Sequence, residues 1–200
     1  KDESKCDDIG AILKLPYIIL QDEIAKRAKI KGLMMTYISD SFVFSIDLSE
    51  SGAMNKMTRS ISVFTQTLLL KCNLLLRGGI AVGKVYHDNE VVYGPGLVKA
   101  YELESKMSNY PRIIMESYDF ERSILSCSNN SQVSLREKYI PDNDGFLALD
   151  SFCFFEQQDL ELCYSILVQM SSPDARAQQK INWMKSLIGN KIKSKALTSK

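Results

Sequence analysis

At 200 residues the chain can form one domain with a sizeable core, and its 25 basic and 24 acidic side chains leave a net charge of +1. That balance provides no basic footprint for a phosphate backbone, so nucleic acid is not an expected partner. No apolar run approaches the roughly 18 residues of a membrane helix and no secretory leader is recognisable, so a cytoplasmic protein is expected.

Residues 1–10 read as loop and 11–29 as helix, interrupted near Pro16. Leu33 to Ile38 and Ser41 to Ile46 are apolar, β-branched runs separated by Ser39-Asp40, a hairpin signature. Met54, Met57, Ile61, Phe64 and Leu68 recur at steps of three and four, which predicts an amphipathic helix over 53–73. Leu74 to Tyr86 reads as one strand. Asp88-Asn89 is a turn in which His87 is expected to face solvent, and Val91 to Tyr93 is the returning strand. Gly94-Pro95-Gly96 then breaks the strand, and a short helix runs from Leu97 to Met107, opened by a proline where a missing N–H costs nothing.

A strand is expected from Arg112 to Ser117. Beyond residue 125 the pattern weakens. Ser128 to Ser131 reads as loop, Gly145 to Leu149 as strand and Glu156 to Met170 as helix. A last helix spans 174–189, followed by a frayed basic tail. The order predicts an α+β fold, a mixed or antiparallel sheet with helices on one face, with residues 1–125 as the main domain. Residues 126–200 form a strand and helical extension packed on it.

Cys6, Cys72, Cys127, Cys153 and Cys163 form no CxxC pair, and their odd number among apolar neighbours suits reduced, buried thiols. The single histidine excludes any site that needs two imidazoles. The glycines are more informative, since five of ten fall between Leu74 and Glu104. Gly78, Gly79 and Gly83 interrupt a strand, Arg77 precedes them, and Gly94 and Gly96 flank a helix start. Such glycines let backbone N–H groups reach phosphate oxygens, or let a strand pass close under a crossing helix.

Three segments occur in order: Tyr37-Ile-Ser-Asp40-Ser-Phe-Val-Phe, Arg77-Gly-Gly-Ile-Ala-Val-Gly83, and Val92-Tyr-Gly94 leading to Ala100-Tyr-Glu-Leu-Glu104. Over about Leu33 to Ser117 this set resembles the class III nucleotidyl cyclases, and within them a divergent bacterial branch that includes the pyrimidine cyclases of Pycsar anti-phage systems. Asp144-Gly145-Phe146 is similar to that branch as well. The resemblance implies a ferredoxin-like core and a homodimer with sites at its interface. It implies a reaction on a nucleoside triphosphate, UTP or CTP, giving a cyclic nucleotide that reaches an effector. Asp40 matches one of two carboxylates that hold Mg²⁺ or Mn²⁺. Arg77 matches a phosphate-contacting arginine. Thr36, Tyr37 and Tyr93 fall where the family reads the base, and Gly78, Gly79, Gly94 and Lys99 fall around the phosphates.

The pattern also departs from the family. Asp8-Ile9-Gly10 imitates only part of the strand that carries the first carboxylate, which is expected upstream of Lys1, and Asp47 sits far from the hairpin turn. Val98 and Glu102 occupy the positions of a transition-state Asn and Arg, leaving Lys84 and Lys99 as candidate cations. Thr36 and Val91 replace the usual purine readers. A non-catalytic module that binds a nucleotide or a partner protein is the alternative reading.

Overall fold

The computed structural model describes residues 32–38 and 41–198. The loop expected over 1–10, the helix expected over 11–29 and Asp40 lie outside the described residues. Among the described residues the fold is α+β, with six helices and small mixed and antiparallel sheets. No helix among them is long and apolar enough to cross a membrane.

β1 (Leu33–Ile38) and β2 (Ser41–Ile46) pair antiparallel, with Leu33 opposite Ile46 and Ile38 opposite Ser41. The helix α1 (Ala53–Cys72) buries Met54, Met57, Ile61, Phe64 and Leu68, the stripe seen in the sequence. It ends at Asn73, whose φ of 54° is the left-handed conformation that a short polar side chain tolerates. α1 carries the chain back, so β2 and the strand that follows run the same way. Phe42 and Leu76 both pack at the Phe64–Leu68 end of the helix, whereas Ile46 and Ile80 pack with Met54 and Met57.

The single strand expected over 74–86 is divided. Only Gly78–Ile80 forms β3, and Tyr86–His87 forms β4, which pairs antiparallel with β5 (Val92–Tyr93). The physical reason lies at Val82, whose N–H donates to the Asp119 carboxylate (2.7 Å) and so leaves the ladder. α2 (Pro95–Glu102) follows and widens into a π turn over Leu103–Met107, in which the Ser108 N–H donates to the Leu103 carbonyl at 3.0 Å.

β6 (Ile113–Met115) is wholly buried and pairs parallel with β3. Two helices missing from the sequence reading come next, α3 (Ser117–Ile124) and α4 (Asn129–Arg136). Ser128, expected in a loop, caps α4 by accepting the Ser131 N–H. β7 (Tyr139–Pro141) and β8 (Leu147–Leu149) complete a four-stranded sheet of order β3-β6-β8-β7. The C-terminal third thus supplies two strands of this sheet as well as helices.

The pleat sends Ile80 towards α1 and Gly79 towards α2. Helices therefore flank β3 on both faces, where one helical face was expected. α5 (Gln157–Gln169) and α6 (Ala175–Thr198) pack on Leu69 of α1 through Leu160, Leu167, Met184 and Ile188. Burial in this cluster pushes the Cys163 thiol up to about 12.

Arg112, ahead of β6, fastens the 142–145 turn by donating from Nη1 to Asp142 and from Nη2 to Asp144. Its side chain is 9% exposed, while the carboxylates are about one-third exposed. Solvent screening reduces the cost of breaking a fully buried pair. Arg112→Met is expected to lower the unfolding free energy by about 2 kcal/mol, read from the urea midpoint. The hydrogen bond from Arg112 holds the Asp144 carboxyl below its usual range. Its contribution is complete above the unfolded carboxylate's pKa of about 3.9 and is lost as pH falls through the lower folded value. The variant should show a flatter stability profile at that acid end.

Candidate functional site

A cavity of about 690 Å³ opens between β2, α1 and residues 76–85. Arg77, Gly78, Gly79, Lys84 and His87 line it. Ile38 and Ser41, which flank Asp40 in the chain, pair at the Arg77 end of this region, since β2 starts where α1 ends and β3 begins. Arg77, the glycine strand and Phe42, near the start of β2, thus line one cavity.

The Arg77 guanidinium spans the π turn. Nε contacts the Glu104 carboxylate at 2.5 Å and Nη1 donates to the Ser108 carbonyl. Lys99 points the other way, to Glu116 (2.7 Å) and Asp119 (3.0 Å). These bonds, first that to Glu116, hold the Lys99 amine above its usual pKa. Asp119 is 1% exposed and has two tasks: it neutralises Lys99 and it accepts the Val82 N–H. Sequence reasoning missed it, because an acidic residue in a short polar helix carries no signal of burial.

The glycines have a packing role. A Cβ on Gly79 would stand 2.4 Å from the Ala100 carbonyl oxygen, and one on Gly83 would stand 2.7 Å from the Gly96 Cα. Strand and helix start therefore cross backbone to backbone. Gly94, the residue before α2, has φ 134°.

Thr36 and the β4–β5 hairpin meet through His87. Its Nε2 shares a hydrogen bond with Thr36 Oγ1 and its Nδ1 with Ser45 Oγ, both 2.7 Å. The histidine is therefore a half-buried tie between two hairpins, not a solvent-facing turn residue. Two hydroxyls suit a neutral ring, since each can donate to or accept from imidazole. Tyr37 packs on Phe42, with ring centroids 4.9 Å apart. Tyr93 stacks on Tyr86 at 5.1 Å, on the outer surface. Val98 and Glu102 are exposed on α2, with Glu102 paired to Lys106.

Burial pushes the His87 pKa below its usual value. The unfolded chain therefore binds the proton more readily. The stability carried by the neutral ring is complete above about pH 6.5 and declines as pH falls towards the lower folded value. His87→Gln should flatten the thermal-stability profile below about pH 6.5. A slope as steep as that of the unchanged protein would assign the pH response to another group.

Among the described residues no three of His, Cys, Asp and Glu stand together as a metal site. They offer no complete donor set, so a metal would depend on Asp40 and a further carboxylate beyond them. Compared with protein-family models, curated proteins and solved structures, the chain matches none.

Proposed function

We propose that this chain is a nucleotidyl cyclase domain of class III type with a ferredoxin-like core. It would convert UTP or CTP to the 3′,5′-cyclic monophosphate and pyrophosphate, as a second messenger for an anti-phage effector. The observation that carries the reading is that Arg77, the Gly78-Gly79 strand and Phe42, near the start of β2, line one cavity. The ribose O3′ attacks the α-phosphorus, a P–O bond forms as the bond to pyrophosphate breaks, and the hydroxyl proton leaves to solvent. With Nε on Glu104 and Nη1 on Ser108, the Arg77 fork is oriented and keeps further N–H donors for phosphate oxygens. Such preorganised donors lower the barrier because they need no rearrangement as charge shifts to the leaving group. Mg²⁺ or Mn²⁺ held by Asp40 and a second carboxylate would neutralise the triphosphate.

The surface beside the cavity supports a homodimer. Tyr86, Val91, Tyr93, Val98 and Tyr101 are all at least half exposed on the β4–β5 hairpin and α2, apolar side chains of the kind that close an isologous contact.

A second reading is favoured by the ion pairs. Lys99 is engaged by Glu116 and Asp119, and Glu102 stands where the family has an arginine, so a nucleotide-binding module without turnover is the alternative. The full-length protein is incubated with Mn²⁺ and UTP, CTP, ATP or GTP in turn, and cyclic product and pyrophosphate are measured. Cyclic UMP or cyclic CMP with equal pyrophosphate is expected. No product from any of the four, together with a nucleotide-raised melting temperature, would leave the binding module.

A further inference from the structure

A second cavity, of about 320 Å³, shares no lining residue with the first. Lys138, directly before β7, and Asp150, directly after β8, line it together with Lys191 and Lys195 of α6. Steps of four and three place Met184, Ile188, Lys191 and Lys195 on one face of α6. Met184 and Ile188 bury that face against Phe152 and Leu160, so the same face carries the two ammonium groups to the cavity. The Asp150 N–H donates to the Lys138 carbonyl at 2.7 Å, which sets the third lysine beside Asp150.

The charges of the lining do not balance, since three lysines stand against Asp150 and Glu137. Asp150 is already engaged: one oxygen accepts Lys191 and the other the Phe152 N–H. Glu137 is exposed to water. Lys138 is held by neutral groups, the Ser134 carbonyl at 2.7 Å and the Ser134 hydroxyl, with the Phe154 ring centroid 5.6 Å away. Lys195 donates to the neutral Phe155 carbonyl. Glu156 stands 3.9 Å from Lys195, but its side chain is 88% exposed and solvent screens the pair. Positive charge therefore gathers in a recess walled in part by the buried Phe152 and Leu160, where low-polarity walls strengthen the pull on an anion.

We propose that this cavity binds a small phosphate-bearing anion through Lys138, Lys191 and Lys195. Three ammonium groups, each acting as a point charge, suit a tetrahedral oxyanion with an oxygen for each better than a flat carboxylate with two. The volume is at the low end of small-molecule sites, enough for a phosphate and a small organic body. Inorganic phosphate and a phosphate monoester share this chemistry. The site rests on the lysine cluster and not on the nucleotide reading.

Cys153 lines the same cavity and is half-buried, so its thiol reports occupancy. Burial, and after it Asp150, raises the Cys153 pKa, while Lys138 and Lys191 lower it. A bound anion would both cover the thiol and disfavour the thiolate, and each effect slows alkylation. The intact protein is treated with iodoacetamide at about pH 8, where a phosphate monoester is dianionic. Modification of Cys153 and of Cys127, a half-buried control, is followed by peptide mass spectrometry. About 10 mM inorganic phosphate or glycerol 3-phosphate, replacing chloride at equal ionic strength, is expected to slow Cys153 at least about threefold and to leave Cys127 unchanged. A larger effect of inorganic phosphate would assign the free ion as the ligand, and a larger effect of glycerol 3-phosphate a monoester. No slowing by either, or equal slowing by acetate, would overturn the proposal. Lys138→Met and Lys195→Met, each compared with its own phosphate-free rate, should lose the effect; an effect retained in both would overturn it. Loss in Arg77→Met instead would place the anion in the first cavity and overturn it as well. Where a lysine variant does not fold, the unchanged protein's rates in phosphate and acetate decide.

Discussion

Gly79→Ala is expected to lower the unfolding free energy by about 3 kcal/mol, and Gly79→Val to leave no cooperative transition at 25 °C. The added Cβ would lie 2.4 Å from the Ala100 carbonyl oxygen, 2.6 Å from Leu103 Cβ and 3.1 Å from the Glu104 N–H nitrogen. None of these is the free end of a flexible side chain. Relief requires α2 to shift as a body, and Leu103 (4% exposed) is buried against its neighbours. The same shift would pull Glu104 off Arg77. For a domain of this size, 3 kcal/mol corresponds to a melting temperature lower by roughly 6–12 °C. Gly78→Ala is the control, because its Cβ would meet only the Ile113 side chain at 3.5 Å, an ordinary contact. Equal losses at the two positions would show that backbone entropy, not the closeness of α2, sets the cost.

The contrast between those neighbouring glycines shows what a sequence can and cannot disclose. Both read as strand breakers with an affinity for phosphate, and only the position of α2 separates them. Where a pattern is set by one element alone, the reading holds: the two β-branched runs give the β1–β2 pairing and the 3-4 spacing gives α1. Where a partner distant in the chain decides, it fails. The strand expected over 74–86 ends early because the carboxylate of Asp119, 37 residues on, takes the Val82 N–H. α3 was invisible because its buried face is Asp119, Phe120, Ser123 and Ile124, at helical spacing but half polar. α6 outruns its expected end at residue 189. Met184 and Ile188 anchor it on α5, and the lysines of the tail suit a helix C-terminus, where the macrodipole favours cations.

In the candidate site, Arg77 and the glycine strand were legible as a set. The groups that hold them were not, since Glu104 and Ser108 act across the π turn and His87 joins Thr36 to Ser45 across two hairpins. A histidine next to an Asp-Asn turn gives no sign that two hydroxyls more than 40 residues away share its ring.

Asp40→Ala is expected to reduce cyclic-nucleotide formation at least 1000-fold, a barrier increase of about 4 kcal/mol. A carboxylate that holds a divalent metal on the triphosphate acts on the charge that develops as pyrophosphate leaves, so the loss should fall on kcat. If Arg77 holds the ground-state triphosphate as proposed, Arg77→Met should raise KM about tenfold or more and should also lower kcat. Arg77 is no member of the cluster around Met54, Ile61 and Met115, and for both variants the melting temperature provides the control for folding. The double variant is decisive. If residues 40 and 77 act on one phosphate–metal unit, removing both costs little more than removing Asp40 alone, as with groups that work together. Losses that multiply would place the two side chains in separate tasks. Turnover that persists in Asp40→Ala would remove the metal role, and the cavity would then be a binding site without cyclisation.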